Sequence, residues 1–279
     1  MSALNLWEIF VGIILGMVEG LTEFAPVSST GHMILVDDIL FKTKEIFSEP
    51  VANTFKVCIQ LGSILAVVIV FKDRILDLLG LKRKGSEEGE KKDRLTLGQI
   101  FVGLLPAAVL GFLFEDLIDE HLFGMSTVLV GLVAGAILMI VADWFRPTRP
   151  RVETLDQISY KDAFLVGLFQ CIALWPGFSR SGSTISGGVL IGLSHRTASD
   201  FTFIMAVPIM AGASSLSLIK NWEYFTADAL PFFIAGFISA FLFALLSIRY
   251  FLKLINKVKL VPFAVYRIVL AVIIYFLVF

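Results

Sequence analysis

The sequence predicts an all-α polytopic membrane protein with six transmembrane helices and two re-entrant helical hairpins in an inverted-topology repeat. Three observations carry that prediction. Of the 279 residues, 57% are hydrophobic, with a mean hydropathy of +0.86, whereas soluble domains run at about 45–50% apolar. Six segments approach the roughly 20 apolar residues a helix needs to cross a bilayer: Thr54–Phe71, Thr96–Phe114, Ser126–Phe145, Phe201–Ile219, Pro231–Phe251 and Leu260–Phe279. Two further apolar regions are each broken by Pro and small polar residues.

The first broken region is Ile9–Ala25 followed by Ser29–Leu40, and the second is Ala163–Trp175 followed by Ser183–Leu193. Each arm is too short to cross. The breaks read Pro26-Val27-Ser28-Ser29-Thr30-Gly31 and Pro176-Gly177-Phe178-Ser179-Arg180-Ser181-Gly182. Irregular backbone at membrane depth is tolerated where protein or a wet cavity surrounds it, so both are expected to be hairpins.

Basic residues set the orientation. The loop after Phe71 carries Lys72, Arg74, Lys82, Arg83, Lys84, Lys91, Lys92 and Arg94. The linker after Phe145 carries Arg146, Arg149, Arg151 and Lys161, and the stretch from Arg249 adds Lys253, Lys257 and Lys259. These are expected in the cytoplasm, and the acidic Glu115, Asp116, Asp119 and Glu120 outside, with both termini outside. The first hairpin then enters from outside and the second from the cytoplasm. A shift of 151 residues aligns Gly16 with Gly167, Glu19 with Gln170, Phe24 with Trp175, Ser28 with Ser179 and Gly31 with Gly182. Three spans follow each hairpin, and an odd number of spans inverts the second copy, as in repeats with a site near the midplane. A single membrane domain, residues 1–279, thus divides into repeats of about 1–147 and 158–279.

Composition excludes other classes. The net charge is −1, and the basic residues sit in loops without interleaved aromatics, so no nucleic-acid partner is expected. Cys58 and Cys171 lie in apolar runs, without metal or disulfide spacing, and are expected to pack as small hydrophobes. The start, MSALNLWEIF, has no basic n-region or cleavage site, so no removable leader is expected. His121 and His195 are expected to be solvated loop residues.

Ionisable groups within membrane segments are functional candidates by default, because lipid penalises charge. Glu19 and Glu23, four residues apart, share a helix face. A divalent cation, a shared proton or an arginine would offset their repulsion. Mg²⁺ or Ca²⁺ suits oxygen ligands, and Mg²⁺ commonly bridges carboxylates to substrate phosphate. Ser28, Ser29 and Thr30 stand where the second arm begins. They can cap that helix or face an anion held at its free N–H groups. His32 lies one turn further, expected close to Glu23. Arg180 in the second break offers a planar fork for bidentate phosphate recognition. Ser179, Ser181 and Thr184 stand beside it, and Gly177 allows close backbone approach.

The segments GMVEGLTEFAPVSSTGHM and ALWPGFSRSGSTISGG, with FKVCIQLGSILAVV (Phe55–Val68) and VPFAVYRI (Val261–Ile268), resemble the bacterial undecaprenyl-diphosphate phosphatases, the BacA-type bacitracin-resistance proteins, over essentially the whole chain. The resemblance implies hydrolysis of undecaprenyl diphosphate to undecaprenyl phosphate at the outer face of the cytoplasmic membrane, with a divalent cation, recycling the lipid carrier of cell-wall synthesis. The family's glutamate motif maps to Glu19 and Glu23, its serine–histidine element to Ser28, Ser29, Thr30 and His32, and its PGxSRS element to Pro176, Gly177, Ser179, Arg180 and Ser181.

In the mechanism read from these residues, Arg180 and the second tip hold phosphate, and a cation sits near Glu19 and Glu23. Ser29 is the preferred nucleophile, ahead of Ser28, with Glu23 or His32 as base. Direct attack by His32, or by water activated by Glu23, are the competing routes. The rival from another class is a transporter or flippase for a phosphorylated lipid or other anion, an architecture that also uses broken helices. The Glu, Ser and His cluster exceeds what anion binding requires. Gly131, Ala134, Gly135 and Ala136 are suited either to a homodimer contact or to packing within the chain.

Overall fold

The computed structural model describes residues 6–81, 94–122, 124–224, 226 and 228–279. Lys82, Arg83, Lys84, Lys91 and Lys92, used above to orient the chain, lie outside the described residues. Those described are all-helical, apart from one parallel bridge between Val152 and Leu193. Ten helices carry the architecture: α1 (Leu6–Thr22), α2 (Ser29–Met33, continued by a π-helical stretch Ile34–Phe41), α3 (Glu49–Val70), α4 (Leu97–Leu113), α5 (Met125–Phe145), α6 (Tyr160–Ile172), α7 (Arg180–Leu190), α8 (His195–Lys220), α9 (Leu230–Val258) and α10 (Val261–Val278). Five of them, α3, α5, α8, α9 and α10, are long and apolar enough to cross a membrane. Helix α4 has 17 residues and bends by 71° into the short helix that follows it.

Capping chemistry moves several boundaries outward from the apolar segments. Helix α3 begins at Glu49 with a proline in its first turn, where the ring's fixed φ fits and no N–H is missed. Helix α8 begins six residues before the apolar run, because the Ser194 side chain accepts from the Thr197 N–H. His195 is thereby a helical residue and not a solvated loop residue, which corrects the expectation above. It is 9% exposed, and its Nε2 lies 2.6 Å from Asp143 Oδ1. The other Asp143 oxygen accepts from the N–H groups of Leu260 and Val261, at 2.8 and 3.0 Å. One carboxylate therefore ties α5, α8 and the α9–α10 corner. His121 is exposed, as expected, but it too is helical, within Glu115–Leu122, and not a loop residue.

Helices in lipid gain little from the hydrophobic effect between them, so close van der Waals contact and interhelical hydrogen bonds must hold them together. Helix α1 supplies both. Gly12, Gly16 and Gly20, spaced by four, lie on α9, and a Cβ at Gly16 would strike the Gly236 carbonyl. Ser239 and Ser247 of α9 donate to the carbonyls of Ile13 and Leu21, at 2.7 and 2.8 Å. Helix α6 packs on α4 in the same manner, with Gly167 against the Gly103 carbonyl. The first arm of each broken region thus lies on a long helix from the other half of the chain. Helices α3 with α8, and α5 with α10, also pack across the halves.

The core lies beneath the breaks. Phe24, fully buried, meets Phe203 of α8 edge-on with centroids 5.2 Å apart. Gly131 and Gly135 of α5 lie against the Pro176 and Phe178 carbonyls of the second break, so these small residues are occupied within the chain. Ala136 is fully buried. Ala134 alone of the four lines an outward apolar groove between α5 and α10. Cys58 and Cys171 are half-buried.

Candidate active site

Two sharp turns build the site. Ser28 (φ 70°) and Ser179 (φ 73°) both adopt the left-handed region and cap the next helix. The Ser28 Oγ accepts from the Gly31 N–H at 3.4 Å, and the Ser179 Oγ from the Gly182 N–H at 3.2 Å. A non-glycine residue at positive φ is uncommon, and its strain persists where the surroundings over-determine it. Each cap satisfies a donor at a helix start that would otherwise be orphaned. The residue after each cap, Ser29 or Arg180, is then the first of its helix and projects from the turn.

The turns meet. Glu23 stands one residue beyond the last of α1, its N–H still bonded to the Glu19 carbonyl at 2.9 Å. Ser29 Oγ donates to Glu23 Oε2 at 2.6 Å, and Arg180 Nη2 donates to Glu23 Oε1 at 2.9 Å. Ser181 Oγ donates to the Ala25 carbonyl at 3.1 Å. The Arg180 guanidinium also lies 6.0 Å from the Phe24 ring centre. Residues more than 150 positions apart therefore form one hydrogen-bonded chain, Ser29–Glu23–Arg180. The ion pair is nearly dry, with Arg180 and Glu23 side chains 15% and 10% exposed.

Two polar atoms are left over. Glu19 is buried, and its Oε1 has no hydrogen-bond partner among the described residues; the same holds for Arg180 Nη1. Buried polar groups without partners are costly and call for an explanation. Arg180 balances one of the two carboxylates, leaving a site that can take up a cation beside Glu19 and an anion beside Arg180.

The other predicted residues are distributed differently. Thr30 is exposed at the start of α2. His32, expected beside Glu23, instead points elsewhere: Nδ1 lies 2.8 Å from the Ser28 carbonyl and Nε2 lies 2.6 Å from the Tyr266 hydroxyl. Gly177 (φ +87°) is pressed against Val128 of α5, where a Cβ would strike the Val128 carbonyl. Thr184 is fully buried, donating to the Arg180 carbonyl at 2.8 Å and accepting from Thr202 Oγ1 at 2.9 Å.

Two residues of α10 escaped sequence reasoning. Tyr266 contacts His32. Arg267 is fully buried and donates from Nη2 to the Gly177 carbonyl at 2.8 Å and to the Gly131 carbonyl at 3.3 Å, holding the second turn from behind. A charged residue within the apolar run 260–279 was the available signal.

Comparison with known proteins bears on this geometry. The family described as "Bacitracin resistance protein BacA" matches residues 12–273. A Geobacillus sp. (strain WCH70) protein named undecaprenyl-diphosphatase is 69% identical over 276 residues, covering 99% of this chain and all of that protein. Proteins of the same name from Bacillus subtilis (strain 168) and Geobacillus kaustophilus (strain HTA426) are 66% and 70% identical, covering 97% and 98% of this chain and 98% of each relative. Both turns and every residue of the Ser29–Glu23–Arg180 chain fall within the matched span, and the protein belongs to the BacA bacitracin-resistance family.

Proposed function

We infer that this protein is an undecaprenyl-diphosphatase, a membrane hydrolase that converts undecaprenyl diphosphate to undecaprenyl phosphate and inorganic phosphate. The lipid product is the carrier on which cell-wall polymers are built, so the reaction recycles it. The observation that carries the inference at the level of chemistry is the Ser29–Glu23–Arg180 chain, with the free Nη1 of Arg180 beside it. The full-length relatives favour this over a transporter.

Ser29 is the nucleophile in this proposal. Its hydroxyl proton already points at Glu23 Oε2, so Glu23 accepts that proton as Oγ attacks the terminal phosphorus. The bond from that phosphorus to the bridging oxygen breaks, and undecaprenyl phosphate leaves. Water then attacks the phosphoserine phosphorus, one of its protons staying on the inorganic phosphate formed and the other passing to bulk water, while the bond from phosphorus to Ser29 Oγ breaks and Glu23 returns its proton to that oxygen. Arg180 and the N–H groups at the start of α7 hold the phosphate oxygens, because phosphoryl transfer is chiefly positioning and charge stabilisation. Ser179 and Ser181 line that turn, while Ser28 and Thr30 flank the nucleophile. The engagement of both His32 nitrogens argues against His32 as the attacking group.

A divalent cation, Mg²⁺ or Ca²⁺, fits the unpartnered Glu19 oxygen and the excess carboxylate. Glu19 and Glu23 would hold it together with substrate phosphate, a donor set suited to Mg²⁺. Bound there, it would neutralise phosphate charge. Among the described residues no three His, Cys, Asp or Glu gather, so the substrate would complete the ligand set.

The architecture is read as six spans, with α4 the sixth, and two re-entrant hairpins, α1–α2 and α6–α7, in an inverted repeat. Matching left-handed serine caps and the reciprocal packing of α1 on α9 and α6 on α4 support this reading. The basic loops favour a cytoplasmic-membrane orientation with the site open to the outer side. A homodimer would use the outward groove that includes Ala134. The test of the function is inorganic phosphate release from undecaprenyl diphosphate by purified protein in detergent, without a gradient. Ser29→Ala should abolish it, and near-normal turnover in that variant would remove the covalent-serine route.

A further inference from the structure

We propose that Tyr266 is a positioning residue of this active site, holding the nucleophile's turn from the opposite half of the chain through His32. The inference rests on the phosphatase reading above. A carbonyl oxygen only accepts, so the 2.8 Å contact between Nδ1 and the Ser28 carbonyl puts a proton on Nδ1. In the neutral ring, Nε2 is then a bare lone pair, and the Tyr266 hydroxyl donates to it at 2.6 Å. The two rings lie nearly parallel, 10° apart, with centroids separated by 5.5 Å.

The consequence falls on Ser29. The carbonyl that His32 grips belongs to Ser28, whose φ of 70° sets the direction in which the next residue leaves the turn. That next residue carries the hydroxyl bonded to Glu23. Helix α2 has only five residues before it passes into the π-helical stretch Ile34–Phe41, so a contact from outside adds to what holds its first turn. The line Tyr266–His32–Ser28 carbonyl therefore braces a strained turn against the long helix α10. In a metal-style arrangement, the partner on the far nitrogen of a histidine fixes its tautomer and orientation; here the far partner is Tyr266 and the near one is backbone. Supporting groups of this kind act on geometry, and small misplacements of a nucleophile are costly in rate.

The experiment uses the full-length protein in detergent micelles, with Tyr266→Phe, Tyr266→Leu and wild type. Tyr266→Phe keeps the ring and removes only the donor. The expected result is a fall in kcat for phosphate release of up to about tenfold, the scale of one lost hydrogen bond, with KM unchanged within about twofold. Tyr266→Leu, which also removes ring contact, should fall further. Alongside, ¹⁵N spectra of histidine-labelled protein, with His32→Gln identifying the resonances, should show wild-type His32 protonated on Nδ1 and hydrogen-bonded at Nε2. In Tyr266→Phe the Nε2 signal should move toward that of a free acceptor. Wild-type kcat in Tyr266→Phe, a loss confined to KM, or a wild-type His32 carrying its proton on Nε2 alone would each overturn the proposal. A wild-type protein that releases no phosphate would instead refute the function, while the spectra still report on the contact.

Discussion

Arg180 offers the most informative perturbation, because a single distance governs what its loss should cost. Its Nη2 lies 2.9 Å from Glu23 Oε1, and both side chains are at least 85% buried. Truncating one member of a buried ion pair leaves the other charged and unpaired, at a cost of about 3–5 kcal/mol. That cost falls on the fold and should appear as a lower melting temperature; the rate loss comes from the lost phosphate contact, and on the scale of a preorganised donor or arginine at a phosphoryl-transfer site Arg180→Ala should lower kcat/KM for undecaprenyl diphosphate by about two to four orders of magnitude. Arg180→Lys separates charge from shape. A lysine restores the positive charge but presents one compact ammonium, whereas the guanidinium engages Glu23 with one nitrogen and leaves Nη1 free for phosphate. The lysine variant should recover less than about a tenth of wild-type kcat/KM on the same reasoning. The assay is steady-state phosphate release by purified protein in detergent, with thermal melts to establish that each variant is folded. A folded Arg180→Lys at full rate, or Arg180→Ala within about threefold of wild type, far below the loss of about two to four orders of magnitude expected for that variant, would refute the argument.

Other outcomes follow from the same contacts. Glu23→Gln should cost more kcat than Glu19→Gln, since only Glu23 serves both Ser29 and Arg180 and position 170 in the other half is already Gln; equal losses would count against that ordering. Chelation of divalent cations should stop phosphate release and Mg²⁺ or Ca²⁺ should restore it, whereas full activity in excess chelator would exclude the proposed ion. Gly16→Leu should destabilise the protein by about 1–3 kcal/mol or more through overpacking, because the Gly236 carbonyl cannot retreat, while Gly212→Leu, with open space around it, should be tolerated. Thermal melts of the two variants in detergent compare them directly.

The two breaks were legible because their signals are local. Pro26, Gly177 and the serines stop one helix and cap the next within a few residues, and Glu19, Glu23 and Arg180 are conspicuous in apolar surroundings. What escaped was tertiary. His195 looks solvated beside Arg196 and Ser194, and only the carboxylate of Asp143, 52 residues away, makes its burial possible. His32 was expected to share the Glu23 cluster because the two are close in sequence, yet its partner Tyr266 lies 234 positions away. Arg267 sits next to Tyr266, within the very motif that carries the family resemblance, but its acceptors are backbone carbonyls, which leave no mark in sequence. Gly131 and Gly135 show the same limit. Small residues announce close approach, and only coordinates say that the neighbour is the turn at 176–178 and not a second molecule.

The reciprocal clasp of α1 on α9 has a cost in time. Ile13 and Ser239, joined by a hydrogen bond, are 226 residues apart, and a ribosome adding about 5–20 residues per second needs roughly 11–45 seconds to span that interval. Through that delay the N-terminal arm and its two glutamates wait in or near the bilayer without their docking face. Docking of α1 therefore waits until α9 has been made, and a nascent chain released before that would leave an acidic, glycine-faced helix for quality control to find.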